Sequence, residues 1–149
     1  MLAIGTRAPE FTLPDANEQP VSLSRLLSRG PLILYFYPAD FTPGCTREAR
    51  QFRDLHQSIN AAGFELAGVS PQRPESHRTF QDKYHLPFTL LSDVDRCVIR
   101  MYEVEGPLGL GVRRATFLID PNRTIRDGVV ADLRIGLHAA LVRRAMDRA

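Results

Sequence analysis

The sequence predicts an α/β fold in which a mixed central sheet carries helices on both faces. A continuous apolar run at residues 31–37 and a second, mainly apolar run at residues 64–70 are typical of strands that are buried on both faces. A stretch with helical periodicity follows each of these runs. Two shorter runs, on either side of the turn DPNR at residues 120–123, predict a hairpin near the end of the sequence.

The remaining elements follow in order and predict one domain over residues 1–149. The predicted strands lie at residues 10–15, 31–37, 64–70, 88–93, 115–120 and 124–130, and residues 21–27 form a short element with a helical turn. The predicted helices lie at residues 42–62, 74–85, 94–104 and 137–146. The last helix is expected to turn Leu137, Leu141 and Met146 towards the core.

The third of these helices contains one of the two cysteines. Val94, Cys97, Val98, Met101 and Tyr102 follow the spacing of one buried helical face. We therefore expect Cys97 to be a buried and inert residue.

Composition excludes several classes of function. The chain is 44% hydrophobic and 24% charged with a formal net charge of +2, and no block of like charges indicates a nucleic-acid interface. No apolar run is long enough for a secretory signal or a membrane span. The glycine-rich loop at residues 105–114 precedes a strand and not a helix, so we expect a mobile loop and no phosphate site. Two cysteines do not make a disulfide scaffold, which predicts a cytoplasmic protein in a reducing compartment.

The stretch TPGC at residues 42–45 has the features of a helix start. Thr42 is a favourable N-cap, and Pro43 fits the first helical position because its missing N–H would be unpaired there anyway. Cys45 then lies in the first turn, at the exposed upstream end of a buried face. Unpaired backbone N–H groups and the helix dipole would stabilise its thiolate. This placement predicts a reactive thiolate, whereas the structural alternative is a small apolar residue that fills the turn.

Most cysteine chemistries do not fit this position. Dithiol exchange would need a second cysteine at position 42, which is threonine. The histidines fall at no ligand spacing with either cysteine and offer no evident base for a hydrolase, so we predict no metal and expect packing or solvated residues at His56, His77, His85 and His138. Attack on a peroxide oxygen, which converts Cys45 to a sulfenic acid, remains.

Residues 38–45, PADFTPGC, match the P-x-x-x-T-x-x-C signature of peroxiredoxins. The wider segment YFYPADFTPGCTREA resembles the bacterioferritin-comigratory or Q-type subgroup, and the resemblance extends over essentially the whole chain, through GTRAPEFTLPD, GVSPQRPESHRTFQDKYHLPFTLLSD and RRATFLID. It implies a thioredoxin-like fold with an N-terminal extension, a peroxide substrate, a thiol reductant and no cofactor.

The resemblance assigns roles to the matching residues. Cys45 would be the peroxidatic nucleophile, Thr42 would offer its hydroxyl to the thiolate and the peroxide, and Pro38 would shield the pocket. Arg114 matches the family's distant arginine and would stabilise the thiolate and polarise the O–O bond. Arg113 is the alternative, and strand alternation would point it the other way.

Two further positions are candidate substrate-binding residues. The backbone N–H of Gly44, together with that of Cys45, would donate to the peroxide oxygens. Glu48 would orient neighbouring groups. The arginines of the same helix are expected to form a solvated face: Arg47, Arg50 and Arg53.

The chain departs from the subgroup at the resolving cysteine. Many Q-type members carry it five residues after the nucleophile, where this chain has Arg50, and others carry it in the next helix, which holds no cysteine here. Cys97 remains, but a disulfide needs Cα atoms within about 7 Å, and its helix or the Cys45 turn would have to unwind. The favoured prediction is a one-cysteine peroxidase reduced by thioredoxin, glutaredoxin or a small thiol. A two-cysteine mechanism through Cys97, or a disulfide between two chains, is the alternative, in a monomer or a homodimer.

A redox-responsive interaction or holdase protein is the alternative from a different class. Both classes predict a reactive Cys45, but only a peroxidase sustains turnover with a reductant. The combination of Pro38, Thr42, Cys45 and Arg114 favours an enzyme that acts on hydrogen peroxide or small organic hydroperoxides.

Overall fold

A computed structural model describes residues 1–148 and shows strands and helices in alternation. The strands are β1 (Thr12–Pro14), β2 (Pro20–Ser22), β3 (Leu32–Phe36), β4 (Glu65–Ser70), β5 (Thr89–Ser92), β6 (Ala115–Ile119) and β7 (Ile125–Val130). The helices are α1 (Leu23–Leu26), α2 (Pro43–Ala61), α3 (Pro74–Tyr84), α4 (Cys97–Met101) and α5 (Gly136–Asp147). None of these helices is long and apolar enough to cross a membrane.

The central sheet has five strands in the order β5-β4-β3-β6-β7. β3, β4 and β5 run parallel, and β6 is antiparallel to both β3 and β7. The predicted mixed sheet and C-terminal hairpin are confirmed. β1 and β2 form a separate antiparallel pair in the segment that precedes β3.

The sheet separates two apolar cores, because successive residues of β3 point to opposite faces. On the first face, Leu32, Leu34 and Phe36 pack with α1 and α4. On the second face, Ile33 and Tyr35 pack with α2, α3 and α5. Helices therefore cover both faces, as predicted, and α2 and α4 lie on opposite sides of β3.

The helix predicted at 94–104 is shorter than expected, and the prediction that Cys97 is buried is wrong. α4 has only five residues, and the Cys97 side chain is exposed. The buried carboxylate of Asp93 accepts hydrogen bonds from the N–H groups of Val98 (3.3 Å) and Ile99 (2.8 Å), which fixes the start of the helix. These two residues fill the core, so Cys97 lies outside it.

The burial of residues on α5 agrees more closely with the prediction. Leu141 is buried as expected, while Leu137 and Met146 are half-buried. His138 is also completely buried on this face. A polar ring among these apolar positions needs polar partners, which are the Thr116 hydroxyl and the Ala131 carbonyl.

The packing of β4 against β3 leaves no room for a side chain at Gly68. A Cβ atom there would lie 2.8 Å from the Tyr35 ring and 3.0 Å from Leu90 Cδ2. We expect Gly68→Ala to lower the free energy of unfolding by about 1–3 kcal/mol through overpacking. Urea unfolding measures this, with Gly136→Ala as the control, since a Cβ at that position would meet no atom within 4 Å. An equal effect of Gly68→Ala and Gly136→Ala on the free energy of unfolding would contradict the conclusion that β3 and β4 leave no room for a side chain at Gly68.

Candidate active site

The loop between β3 and α2 delivers Cys45 to the edge of the second core. Thr42 occupies the N-cap position with an extended backbone, and Pro43 is the first helical residue, as predicted. The Thr42 hydroxyl, however, donates backwards to the carbonyl of Ala39 (3.1 Å) and does not cap the helix. The backbone, and not this side chain, therefore defines the start of α2.

Cys45 lies in the first turn of α2 but is only 1% exposed, so the expectation that it would be exposed is wrong. Its side chain packs with Tyr35, Ala49 and Phe52 in the second core. The Sγ atom accepts a hydrogen bond from Arg114 Nη2 (3.3 Å). The sulfur is therefore enclosed and faces one guanidinium.

Arg114 lies immediately before β6, and its side chain is almost completely buried. Nη1 donates to Glu48 Oε1 (2.8 Å), so the guanidinium links the sulfur to a carboxyl group. Burial opposes the charge of Arg114, but its two acidic neighbours, Glu48 and Cys45, raise the pKa of the guanidinium above its usual value. The site thus holds a permanent positive charge.

Arg113 has a different environment, as strand alternation predicts. Its side chain is exposed and donates through Nε and Nη2 to Asp132 Oδ2 (3.1 and 2.9 Å). Asp132 Oδ1 accepts the backbone N–H of Arg114 (2.9 Å). Arg113 and Asp132 therefore hold the backbone from which Arg114 enters the site.

Glu48 lies one helical turn after Cys45 and is 1% exposed. Burial raises the pKa of this carboxyl group to about 7, against the opposing effect of the Arg114 charge. Its second oxygen, Oε2, is buried without a hydrogen-bond partner. The ring nitrogen Nδ1 of His138 is 3.6 Å away, which is too long for a hydrogen bond.

The structure brings His138 into the site, where we expected a packing or solvated residue. Nδ1 lies 2.7 Å from the Thr116 hydroxyl, and Nε2 lies 2.9 Å from the Ala131 carbonyl. Burial lowers the pKa of His138, so the ring is neutral at pH 7. The available signal was the histidine's position on the apolar face of the last helix, three residues before Leu141.

A second buried network holds the loop that carries Pro38 and Thr42. Asp40 Oδ1 accepts from the Tyr37 hydroxyl (2.6 Å), and Oδ2 accepts from the Ser76 hydroxyl (2.7 Å). His77 Nδ1 lies 2.8 Å from the same Oδ2. Asp40 therefore fixes this loop to α3, a contact that sequence spacing did not indicate.

The remaining candidate residues are Pro38, Gly44 and Cys97. Pro38 is half-buried in the loop, and Gly44 lies directly against Arg114. A Cβ at Gly44 would stand 3.0 Å from Arg114 Nη2, so glycine permits the close approach of helix and guanidinium. Cys97 lies on α4, on the opposite face of the sheet from Cys45.

The arrangement defines what chemistry the site can perform. Within residues 1–148, no three His, Cys, Asp or Glu side chains form a metal-binding group. The Cys45 sulfur lies at a helix N-terminus and accepts a hydrogen bond from a buried guanidinium, two features that stabilise negative charge on a nucleophile. The same guanidinium and the free N–H groups of the first turn can stabilise negative charge that develops on an incoming oxygen.

Comparisons with known proteins agree with this geometry. The AhpC/TSA family model matches residues 4–127. A putative peroxiredoxin, Bcp, from Coxiella burnetii is 41% identical over 147 residues, which cover 95% of this chain and 96% of that protein. Chloroplastic peroxiredoxin Q from Sedum lineare is 44% identical over 123 residues, which cover 82% of this chain and 66% of that protein.

Solved structures show the same architecture. The crystal structure of peroxidoxin BcpB from Mycobacterium tuberculosis superposes with a TM-score of 0.93 at 34% identity, covering 99% of this chain and 98% of that chain. Peroxiredoxin Q from Xanthomonas campestris gives a TM-score of 0.84 at 30% identity, covering 93% of this chain and 90% of that chain. With this thioredoxin-like fold and these relatives, the chain belongs to the AhpC/TSA family and is a thiol-dependent peroxidase of the peroxiredoxin Q and Bcp type.

Proposed function

We propose that this peroxidase reduces hydrogen peroxide and small organic hydroperoxides by a one-cysteine mechanism, with Cys45 as the nucleophile and an external thiol as the reductant. The hydrogen bond of 3.3 Å from buried Arg114 Nη2 to Cys45 Sγ carries this proposal. It joins the nucleophile to a fixed positive charge at the start of a helix.

In the first step, the Cys45 thiolate attacks one oxygen of the peroxide. The S–O bond forms while the O–O bond breaks, and the departing oxygen leaves with the electron pair and takes up a proton. Arg114 and the backbone N–H groups of Gly44 and Cys45 stabilise the charge on the oxygens. The product on the enzyme is a sulfenic acid.

Two loop residues complete the proposed pocket. The Thr42 hydroxyl, which now donates to the Ala39 carbonyl, would turn to the thiolate and the bound peroxide. Pro38 shields the pocket from solvent. Glu48 contributes indirectly, since its carboxyl group is buried and contacts Arg114.

The position of Cys97 supports the one-cysteine mechanism. α2 and α4 pack on opposite faces of the central sheet, with β3 between them. A disulfide between Cys45 and Cys97 of the same chain needs Cα atoms within about 7 Å and would require one helix to leave its core. Since Cys97 is exposed, it is available for a disulfide between two chains, which is the second candidate mechanism.

The reductant, substrate range and location follow from the same proposal. Thioredoxin, glutaredoxin or a small thiol would reduce the sulfenic acid, in a monomer or a homodimer. A structural study of the Xanthomonas campestris bacterioferritin comigratory protein concerns alkyl peroxide reduction, which supports organic hydroperoxides as substrates here. We place this cycle in a reducing compartment such as the cytoplasm, where thiol reductants are abundant.

The mechanism predicts which species forms after one equivalent of hydrogen peroxide. Intact-mass analysis with a dimedone-type trap should show one adduct, on Cys45, in both wild type and Cys97→Ser. Cys45→Ser should show no adduct. Continued peroxide consumption on adding a thiol reductant separates an enzyme from a protein that only responds to oxidation.

Two outcomes would contradict this mechanism. Loss of two hydrogens in wild type, with trapping only in Cys97→Ser, would establish Cys97 as the resolving cysteine. A disulfide-linked dimer in wild type would establish resolution between chains.

The role proposed for Arg114 predicts a large and specific effect on the peroxide step. Removal of a hydrogen bond to a charged group costs about 1.5–3 kcal/mol, so Arg114→Ala should slow oxidation of Cys45 by roughly 10- to 100-fold. Arg113→Ala should slow this step by at most about fivefold, because its exposed ion pair with Asp132, which helps to hold the Arg114 backbone, contributes about 0–1 kcal/mol. Stopped-flow measurement of Cys45 oxidation compares the variants, and equal effects would contradict the assignment of Arg114.

A further inference from the structure

The active site places one cation between two acidic groups. Arg114 donates through Nη2 to Cys45 Sγ (3.3 Å) and through Nη1 to Glu48 Oε1 (2.8 Å). All three residues are at most 6% exposed. If both acids ionised, the buried site would hold two negative charges against one positive charge, which a medium of low dielectric disfavours.

The surroundings of Glu48 favour its protonated form. The oxygen Oε2 is buried and accepts no hydrogen bond from any group within residues 1–148. The nearest ring nitrogen, His138 Nδ1, is 3.6 Å away. Because His138 Nε2 faces the Ala131 carbonyl, the neutral ring carries its proton on Nε2, and the lone pair of Nδ1 accepts from the Thr116 hydroxyl (2.7 Å). His138 therefore offers Oε2 no proton donor, and ionisation of Glu48 would place negative charge on a buried oxygen without a hydrogen-bond partner.

The other ionisable groups near the site, Tyr35 and Asp132, each keep one protonation state. Tyr35, from β3, stays neutral because burial and the nearby Glu48 raise its pKa well above the usual value. Partial burial opposes the charge of Asp132, but hydrogen bonds from Arg114 and Arg113 lower its pKa and keep it ionised. Asp132 is already paired with Arg113 and Arg114, so Glu48 is the group beside Cys45 whose protonation state can change.

We propose that Cys45 and Glu48 share one negative charge across Arg114, so that Glu48 is protonated while Cys45 is a thiolate and ionises when Cys45 becomes a sulfenic acid. The inference rests on the proposed function of Cys45. Glu48 is a positioning residue in this scheme, because it acts through Arg114 and does not touch the peroxide. His138 donates no hydrogen bond to Glu48, because its proton lies on Nε2 and faces Ala131.

The proton balance of the peroxide step follows directly. The reduced site contains the thiolate, the guanidinium and a protonated Glu48. Attack on ROOH leaves the OH group on sulfur and expels RO⁻, which needs one proton to become ROH. Ionisation of Glu48 releases one proton at the same step, and solvent carries it. One negative charge remains in the site before and after, first on sulfur and then on the carboxylate.

Because the charge moves between Cys45 and Glu48, the Arg114 guanidinium stabilises a different anion in each redox state. While Glu48 is protonated, the full charge of Arg114 acts on the thiolate and the approaching peroxide. Once sulfur has become a neutral sulfenic acid, the guanidinium and the ionised Glu48 form a complete ion pair. The positive charge is therefore never left unpaired in the buried site, in either redox state.

Infrared difference spectroscopy of the oxidised minus the reduced enzyme tests the proposal on wild-type protein. We expect oxidation at neutral pH to remove the C=O stretch of a protonated carboxylic acid and to add carboxylate bands. Carboxyl-¹³C-labelled glutamate should shift the lost band, which identifies it as glutamate without any substitution. A trap for sulfenic acid on the same sample reports whether Cys45 was oxidised.

Variants assign the band to one residue. Glu48→Gln should abolish it, since the amide keeps an oxygen for Arg114 and cannot ionise. The exposed carboxyl group of Glu75 on α3 provides the control, and Glu75→Gln should keep the band. The pH dependence of Cys45 oxidation should differ between Glu48→Gln and wild type, since the variant cannot exchange negative charge with Cys45.

The outcomes separate this inference from the proposed function. Cys45 oxidised with no loss of a protonated glutamate band would overturn the shared charge and leave the peroxidase mechanism intact. A band that persists in Glu48→Gln would overturn the assignment to Glu48. No trapped sulfenic acid on Cys45 in wild type would overturn both.

Discussion

A single buried guanidinium organises the active site of this protein. Arg114 reaches Cys45 with one nitrogen and Glu48 with the other, and these two residues lie on consecutive turns of α2. A planar fork with fixed donor directions can bridge two such acceptors, whereas a point charge on a flexible chain cannot hold both. Because the guanidinium is buried, its position depends on the close contact between β6 and the start of α2, and the site exists only when these elements are docked.

The fold supports that contact from several directions. Asp132 holds the backbone at Arg114, and Gly44 allows the first turn of α2 to approach the guanidinium without a Cβ in the way. Asp40 ties the preceding loop to α3 through its contacts with Ser76 and His77. Burying a polar group without a hydrogen-bond partner costs free energy. Each of these contacts therefore also restricts the conformations that the neighbouring side chains can adopt. The result is a nucleophile that is preorganised and nearly inaccessible to bulk solvent.

The same sheet that builds the site also isolates its two cysteines. Successive residues of β3 supply opposite cores, so α2 and α4 cannot approach each other across it. A peroxidase that keeps this arrangement oxidises Cys45 without a thiol from the same chain within reach. In the proposed one-cysteine mechanism, reduction would depend on a second molecule, and the burial of Cys45 would restrict the access of that molecule to the sulfenic acid. Arg50, five residues after Cys45, is exposed on α2.

The sequence by itself determined the order of strands and helices, the helix start at Thr42 and Pro43, and the choice of Cys45 and Arg114 as the central residues. These features are local, since hydrophobic periodicity and capping chemistry are written within a few residues, or they belong to the family motif. Only the tertiary structure decided that Cys45 is buried, that Cys97 is exposed on the other face, and that His138 lies beside Glu48. Those properties depend on which surfaces meet when distant segments pack, and no spacing along the chain specifies that contact.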